Sequence, residues 1–575
     1  MFSLTPMKLR HAIVVAALFA PSFSSPLLAD PSYDAGRILR EQQPQRQLPE
    51  RTTLPEPEGQ TESVRSSGSG AKVVVRAYRF TGYDDLVQQS ELQSLLAGSI
   101  GRELSIGELN GQLARIDAFL KSKGWFLAQS WLPEQDVTSG IIEIHLLKGV
   151  SDGRMSFNRD KTVRLCTGVL AGIGKNAVQS GQAINERKLE RSVLLMNDLP
   201  GVSAHAGLVK GAAQGSTGVV VDVSEEPLLS GAVWEDNFGN YYTGRWRSSV
   251  LLNINDPSGC GDQLSFIGTL SDGFSLGRIG YSYLLSGSGL KGTLVYSPMH
   301  YEMHQEMSAL NVRGQSQTFD ATLSYPLVRS RLSNVTASVG YGRKELSDSM
   351  LGVRIRDKTS NSSTIGLKGY AYDNILGGGY STWNASVTTG ALNERIADLS
   401  LSGTGGSYTH ANVGVSRLQR VSGPVNLSLS WTAQLSPGNL DSSEKFYLGG
   451  PYGVRAYPVG EASGDAGQLL NVDLRINLPV PARYGTFQVS GFYDAGRITM
   501  HINPWSYSIL TATGENNYWL QGAGAELVYL YNNRVSMKGC WAHVIGDNPG
   551  KSRYGLNSEG KSDSDRFWLL ATVFF

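Results

Sequence analysis

The stretch VNLSLSWTAQL, residues 425–435, alternates without interruption. Val425, Leu427, Leu429, Trp431, Ala433 and Leu435 fall on one side of an extended chain, and Asn426, Ser428, Ser430, Thr432 and Gln434 on the other, because successive side chains of a strand point to opposite faces. Leu470, Val472, Leu474 and Ile476 alternate in the same way with Asn471, Asp473, Arg475 and Asn477. Such strands have one apolar and one strongly polar face. A soluble sandwich also alternates, with its apolar face in a core; a membrane barrel turns the apolar face to lipid and the polar face to a wet lumen. The length and aromatic content of the region from Leu228 to Phe575 favour the barrel.

Working outward, the same reading places sixteen strands, near 229–238, 243–254, 261–271, 276–286, 290–300, 314–325, 331–344, 363–371, 378–390, 406–421, 424–436, 467–478, 484–494, 517–530, 534–545 and 566–575. An even count suits an outer-membrane barrel. Connections after the fourth, eighth, tenth and fourteenth strands read as short, and those after the seventh, ninth, eleventh, thirteenth and fifteenth as long. Short periplasmic turns and long extracellular loops give that parity if the N-terminal part is periplasmic. The last strand, RFWLLATVFF, sets Phe567, Leu569, Ala571, Val573 and Phe575 on one face and ends on an aromatic. That greasy edge invites aggregation in a soluble domain, whereas a strand closing a barrel in lipid leaves no free edge.

Upstream the pattern differs. Residues 1–29 hold a basic start (Lys8, Arg10), a short apolar run (Ala12–Ala20) and Leu27-Leu28-Ala29, the pattern of a secretory signal peptide. The apolar run is well short of the ~20 residues that span a bilayer. Residues 30–43 predict a short polar helix, stopped by Pro44, and residues 44–71 a Pro-rich then Gly/Ser-rich linker. Two α+β modules follow, 72–149 and 150–227. In the first, VVVRAYRF is a strand, Leu109, Leu113, Ile116 and Leu120 recur at helical spacing, and Trp125–Leu132 and Ile141–Leu147 read as strands. In the second, Leu189, Val193 and Met196 mark a helix and VVVDV at 219–223 a final strand.

A net charge of +1 gives no reason to expect nucleic acid. Cys166, Cys260 and Cys540 lie in three separate regions, which is neither a disulfide framework nor a metal site; they read as free thiols or at most one incidental pair. His300 and His304 stand four apart, roughly 13 Å on a strand, too far to share a metal. No GxxxxGK[ST] phosphate loop occurs. No catalytic residue, metal or cofactor is expected.

The loop YLGGPYGVRAYPVGEASGDAG, 447–467, is too rich in glycine and proline for regular structure and carries one arginine, Arg455. Loops of this length are usually disordered or functional. In TFQVSGFYDAG the alternation turns Gln488, Ser490, Phe492, Asp494 and Gly496 to the lumen. The loop is long enough for Arg455 to reach Asp494. Spacing alone leaves a second reading open, a solvated arginine and an unrelated lumenal carboxylate.

The chain resembles the two-partner-secretion transporters (the TpsB family), within the outer-membrane assembly-factor superfamily. The resemblance covers essentially the whole mature chain. GWFLAQSWLPEQDVTSG at 124–140 resembles the first POTRA signature, LLMNDLPGV at 194–202 the second, and EDNFGNYYTGRWR at 235–247 the start of the barrel. Val454-Arg455-Ala456-Tyr457 resembles the family's VRGY/F loop motif, and Phe492-Tyr493-Asp494-Ala495-Gly496 its FxDxG strand motif. The resemblance implies a plug helix (30–43), two periplasmic POTRA domains (72–149 and 150–227) and a sixteen-stranded outer-membrane β-barrel (228–575). It implies that Arg455 and Asp494 meet in the lumen, with Val454, Tyr457, Phe492 and Gly496 around them. Ala456 departs from the motif's glycine, and alanine tolerates left-handed geometry poorly. The implied partner is a large secreted exoprotein (adhesin, haemolysin or contact-dependent growth-inhibition toxin) with an N-terminal two-partner-secretion domain, received by residues 72–227. The implied protein is a monomer in outer-membrane lipid. A passive porin would not explain the modules or the helix; the superfamily alternative is an outer-membrane protein assembly or insertion factor.

Overall fold

The computed structural model describes residues 33–42, 72–160, 163–175, 177–211, 216–396, 402–509 and 511–575. The expected signal peptide (1–29) and linker (44–71) lie outside the described residues.

The chain opens with helix α1 (Ala35–Glu41). Module 1 comprises β1 (Lys72–Val74), β2 (Ala77–Thr81), α2 (Gln89–Leu96), β3 (Glu103–Ser105), α3 (Ile106–Ser122), β4 (Gln129–Trp131) and β5 (Ile141–Leu147). Its sheet runs β2-β5-β4, with β2 and β5 parallel. Helix α3 starts on a capping box, in which Ser105 N donates to Glu108 Oε2 at 2.7 Å and Glu108 N to Ser105 Oγ at 3.3 Å. Its face Leu109, Leu113, Ile116 and Leu120 is buried with Tyr78, Phe80, Ile142 and Ile144 of the sheet. The expected strand 125–132 is confined to Gln129–Trp131. Trp125–Ala128 form a turn instead (Ala128 N to Trp125 O, 3.1 Å). The run is apolar because Trp125 packs in the core of module 1, whereas Phe126 and Leu127 pack in that of module 2.

Module 2 repeats the connectivity with β6 (Val150–Arg159), α4 (Thr167–Gly174), α5 (Glu186–Asn197), β7 (Val202–Lys210) and β8 (Ser216–Glu225), in sheet order β6-β8-β7 with β6 and β8 parallel. Arg329 pairs with Asp198 of this module through two hydrogen bonds (2.8 and 2.7 Å), and Arg331 with Glu190 at 2.8 Å. These contacts seat module 2 on one rim of the barrel.

The barrel closes from sixteen antiparallel strands among the described residues. They are β9 (Leu229–Asp236), β10 (Arg247–Asn255), β11 (Gln263–Ser271), β12 (Phe274–Leu284), β13 (Lys291–Glu302), β14 (Arg313–Arg329), β15 (Ser333–Met350), β16 (Val353–Asp373), β17 (Gly379–Glu394), β18 (Gly406–Ser422) and β19 (Val425–Leu435). After an inserted loop, which contains the short pair β20 (Phe446–Tyr447) and β21 (Ser463–Gly464), come β22 (Ala466–Asn477), β23 (Thr486–Thr499), β24 (Asn517–Tyr531), β25 (Val535–Val544) and β26 (Asp565–Phe574). Strand β26 returns to β9, with Val573 opposite Val233. The alternation read from the sequence is the wall: Ser428 and Ser430 are buried inside, while Leu429 and Trp431 are exposed outside. Phe567, Leu569 and Val573 likewise face out, and Trp568 is buried inside.

One connection differs from expectation. The link after the seventh strand is the two-residue turn Leu351–Gly352, because β15 and β16 pair from Ser333↔Ala371 to Met350↔Val353, with one register shift between Asp348 and Ser349. Their outer halves carry Arg343, Lys344, Glu345, Arg354, Arg356 and Asp357. Beyond the lipid a strand has no apolar face to keep, so this part of the hairpin showed no alternation.

Candidate functional site

The inserted loop folds back into the lumen. Leu448 N bonds Ala462 O at 3.0 Å and Val454 N bonds Leu448 O at 2.5 Å, closing the loop on itself. The buried set Leu448, Val454, Ala456, Tyr457 and Val459 then packs against Phe238, just beyond β9, and the wall residues Phe492, Leu520 and Trp568. This packing holds the Arg455 guanidinium against the wall.

Arg455 is 1% exposed and Asp494 0%. Arg455 Nε donates to Asp494 Oδ2 at 2.8 Å and Nη2 to Oδ1 at 2.7 Å, a two-pronged pair, and the Arg455 backbone N–H adds a third bond to Oδ2 at 3.0 Å. The guanidinium carbon lies 3.4 Å from the centroid of the Phe492 ring, a cation–π contact. Leu448 covers Gly496, where an added Cβ would stand 2.6 Å from Leu448 Cδ2. The structure therefore brings Val454, Arg455, Tyr457, Phe492, Asp494 and Gly496 together.

It adds partners that sequence reasoning missed. Arg455 Nη1 donates to Asp473 Oδ1 at 2.9 Å and lies 3.6 Å from Glu526 Oε2. Lys538 Nζ stands 2.6 Å from Glu526, and Arg475 Nη2 3.9 Å from Asp473. Three cations thus face three carboxylates, which keeps a buried cluster affordable only as a unit. Asn471 Nδ2 donates to Asp494 Oδ1 at 2.7 Å and to Gly453 O at 3.1 Å, and Trp568 Nε1 donates to Arg455 O at 2.7 Å. Asn471 and Asp473 had registered as polar residues on a lumen face. The alternation located that face, but nothing in it revealed which of its groups the loop would engage.

Ala456 is not among the residues with positive φ, so the left-handed geometry expected to disfavour alanine is not required. It is 2% exposed, and its methyl stands 2.5 Å from where a Cβ on Gly522 would be. Gly522→Ala should therefore overpack the loop seat, costing about 1–3 kcal/mol, and Ala456→Gly should restore it. Thermal unfolding of the four combinations in detergent checks this; equal losses in Gly522→Ala with and without Ala456→Gly would refute the pairing.

Helix α1 lies inside the barrel. Asp34 caps it, accepting from Arg37 N at 2.8 Å and from Ser442 Oγ at 2.6 Å. Ala35 N donates to Asp348 Oδ1 at 2.8 Å. Arg37 donates to Glu41 Oε1 (3.0 Å) and to Gly460 O of the inward loop (2.7 Å). Asn240 Nδ2 donates to Glu41 Oε2 at 3.0 Å, and Arg247 Nη1 to Gln42 Oε1 at 2.7 Å. Ala35, Ile38 and Leu39 pack on Phe274, Met299, Tyr301 and Leu346. The helix thus touches both the wall and the loop that carries Arg455. The loop is tied outward as well, since Glu461 accepts from Ser558 N at 2.8 Å and from Asn548 Nδ2. Burial raises the Glu461 carboxyl above the usual range, against these hydrogen bonds.

Among the described residues no group of three or more His, Cys, Asp and Glu is placed to hold a metal ion.

Residues 215–516 match the family model of haemolysin secretion/activation proteins, and residues 73–149 match that of the ShlB-type POTRA domain. The heme/hemopexin transporter protein HuxB of Haemophilus influenzae is 26% identical over 98% of this chain and 99% of its own. The outer membrane transporter CdiB of Escherichia coli is 23% identical over 85% of this chain and 84% of its own. The solved structure of CdiB from Escherichia coli superposes with a TM-score of 0.72 at 21% identity, covering 100% of both chains. That of CdiB from Acinetobacter baumannii gives 0.63 at 17%, covering 92% of this chain and 94% of that one.

Proposed function

Because the chain belongs to the haemolysin secretion/activation protein family, we propose that it exports one large partner exoprotein across the outer membrane by two-partner secretion. The observation that carries this reading is α1, a seven-residue helix that precedes the modules in the chain and is seated inside the polar lumen. A static pore has no use for such an insert; a passage that opens for a polypeptide does. The insertion-factor alternative is the weaker one, since the matching model is that of secretion and activation proteins.

In this reading residues 72–149 and 150–227 are two POTRA domains in the periplasm. The partner arrives unfolded, and its N-terminal secretion domain docks by adding a strand to a sheet edge. Strand β7 offers such an edge, with Leu208 and Val209 exposed. Helix α1 leaves the lumen, the Arg455 loop yields, and the extended chain passes along the polar wall. Folding of the partner outside prevents its return. The transporter works as a monomer with its outer apolar band in lipid, and no nucleotide, metal or catalytic step is involved. The partner is an adhesin, a haemolysin or a contact-dependent growth-inhibition toxin; likeness to HuxB, a heme/hemopexin transporter protein, adds a partner linked to heme/hemopexin transport.

The test is release. Cells that make the partner together with this chain should release it to the medium, and cells lacking the chain should retain it. Replacing residues 72–227 by those of a relative with another partner should redirect release to that partner. A chimera still faithful to the original partner would place recognition in the barrel and not in the modules.

A further inference from the structure

Cys166 and Cys260 stand on opposite sides of the joint between module 2 and the barrel. Cys166 is the exposed N-cap of α4, and Cys260 is half-buried in the turn 256–262 that joins β10 to β11. Across the joint the Cys166 backbone N–H donates to the Gly259 carbonyl at 2.8 Å. In a trans peptide that carbonyl oxygen is itself about 2.8 Å from the Cα of Cys260, so the two cysteine Cα atoms lie no more than about 7 Å apart. Bridged cysteines have Cα separations of about 4.4–6.8 Å. Cys166 Sγ reaches within 3.8 Å of where a Cβ on Gly259 would stand.

The turn is held for this encounter. Asp256 Oδ1 accepts from Gly261 N at 2.6 Å, and Asp262 Oδ1 from Ser258 N and Oγ at 3.1 and 2.8 Å. Leu199 of module 2 covers Gly261, whose added Cβ would lie 2.8 Å from Leu199 Cδ2. Both cysteines are free thiols as they stand, and Cys260 Sγ rests 3.9 Å from Ser258 O. The third cysteine, Cys540, is buried on β25, opposite Trp568 of β26 and Glu526 of β24, away from the joint.

We propose that Cys166 and Cys260 form a disulfide that ties module 2 to the barrel. The joint lies in the periplasm, an oxidising compartment. The two thiols lose two protons and two electrons as the S–S bond forms. The acceptor is the disulfide of a periplasmic thiol oxidase: one cysteine thiolate attacks it to give a mixed disulfide, the second cysteine thiolate attacks the sulfur of the first, and the oxidase leaves as a dithiol. The bond fixes the hinge about which module 2 would otherwise swing on the rim, while its β7 edge stays open to receive the partner.

The experiment counts thiols on the full chain in outer membranes of oxidase-proficient cells. Samples are acid-quenched, unfolded in detergent and treated with a polyethylene-glycol maleimide before or after reduction. The unsubstituted chain, with three cysteines, should take one adduct before reduction and three after it. Cys166→Ser and Cys260→Ser should each take two before reduction. Three adducts on the unreduced parent chain would overturn the proposal. So would a band of doubled mass before reduction, which marks a bond between chains, or the absence of any adduct in either variant before reduction, which marks a different pair.

Discussion

Arg455→Ala should cut release of the partner at least tenfold while the barrel still assembles. The substitution leaves Asp494 and Asp473, buried at 0% and 1% exposure, without the guanidinium that bonds them at 2.7–2.9 Å. Breaking a buried ion pair costs about 3–5 kcal/mol; access of lumenal water will reduce that, and roughly 1.4 kcal/mol already shifts an equilibrium tenfold. The loop should then leave its seat on Phe492 and become open to protease from outside. Asp494→Ala should be milder, because Arg455 keeps its 2.9 Å bond to Asp473. Arg455→Lys should not rescue, since an ammonium cannot hold both oxygens of Asp494 and one of Asp473 in fixed fork geometry. Heat-modifiable migration reports assembly, and a double-mutant cycle on release reports coupling. Additive effects of Arg455→Ala and Asp494→Ala would show that the pair does not act as a unit.

The positions of these two residues were legible for different reasons. Asp494 could be assigned to the lumen by counting, because β23 alternates strictly through Phe492, Asp494 and Gly496. Arg455 lies on a loop, where no periodicity applies, and only its resemblance to a motif pointed it inward. Asp473 and Asn471 fell on the correct face of β22, but which lumenal groups a returning loop touches depends on its whole path, and that path is set by long-range packing on Phe238, Leu520 and Trp568. Glu526 and Trp568 went unassigned for the same reason. The fold shows the same division. Every barrel strand that lies within lipid announced itself by alternation, since lipid on one side and water on the other impose a period of two. The outer hairpin of β15 and β16 meets water and not lipid on its outer face, where Arg343 and Glu345 pair, and left no such pattern. Nor could spacing relate Cys166 to Cys260, because their approach depends on where module 2 sits on the rim.

The second large effect concerns Gly36. Glycine inside a helix is normally unfavourable by about 1 kcal/mol relative to alanine, yet α1 carries one in its first turn. The reason is proximity: a Cβ at Gly36 would stand 2.5 Å from Ser442 Oγ and 2.8 Å from Ser443 N. Ser442 also bonds the capping Asp34, so no side chain at 36 can be accommodated without separating the cap from its partner. Gly36→Leu should therefore expel α1. Once out, a helix of seven residues is far below the ~12–15 residues at which isolated helices become even marginal in water, so it should unwind and not return. The bonds from Arg37 to Gly460 O and from Ala35 N to Asp348 are lost with it, and the inward loop loses one support while keeping Arg455 on Asp494. Ion conductance in planar bilayers should rise several-fold for Gly36→Leu and for deletion of residues 35–41, with release of the partner largely retained because the helix must leave the lumen during export in any case. If both variants conduct no more than the parent chain, α1 does not plug the passage; if both conduct freely but release nothing, the helix has a further part in loading the partner.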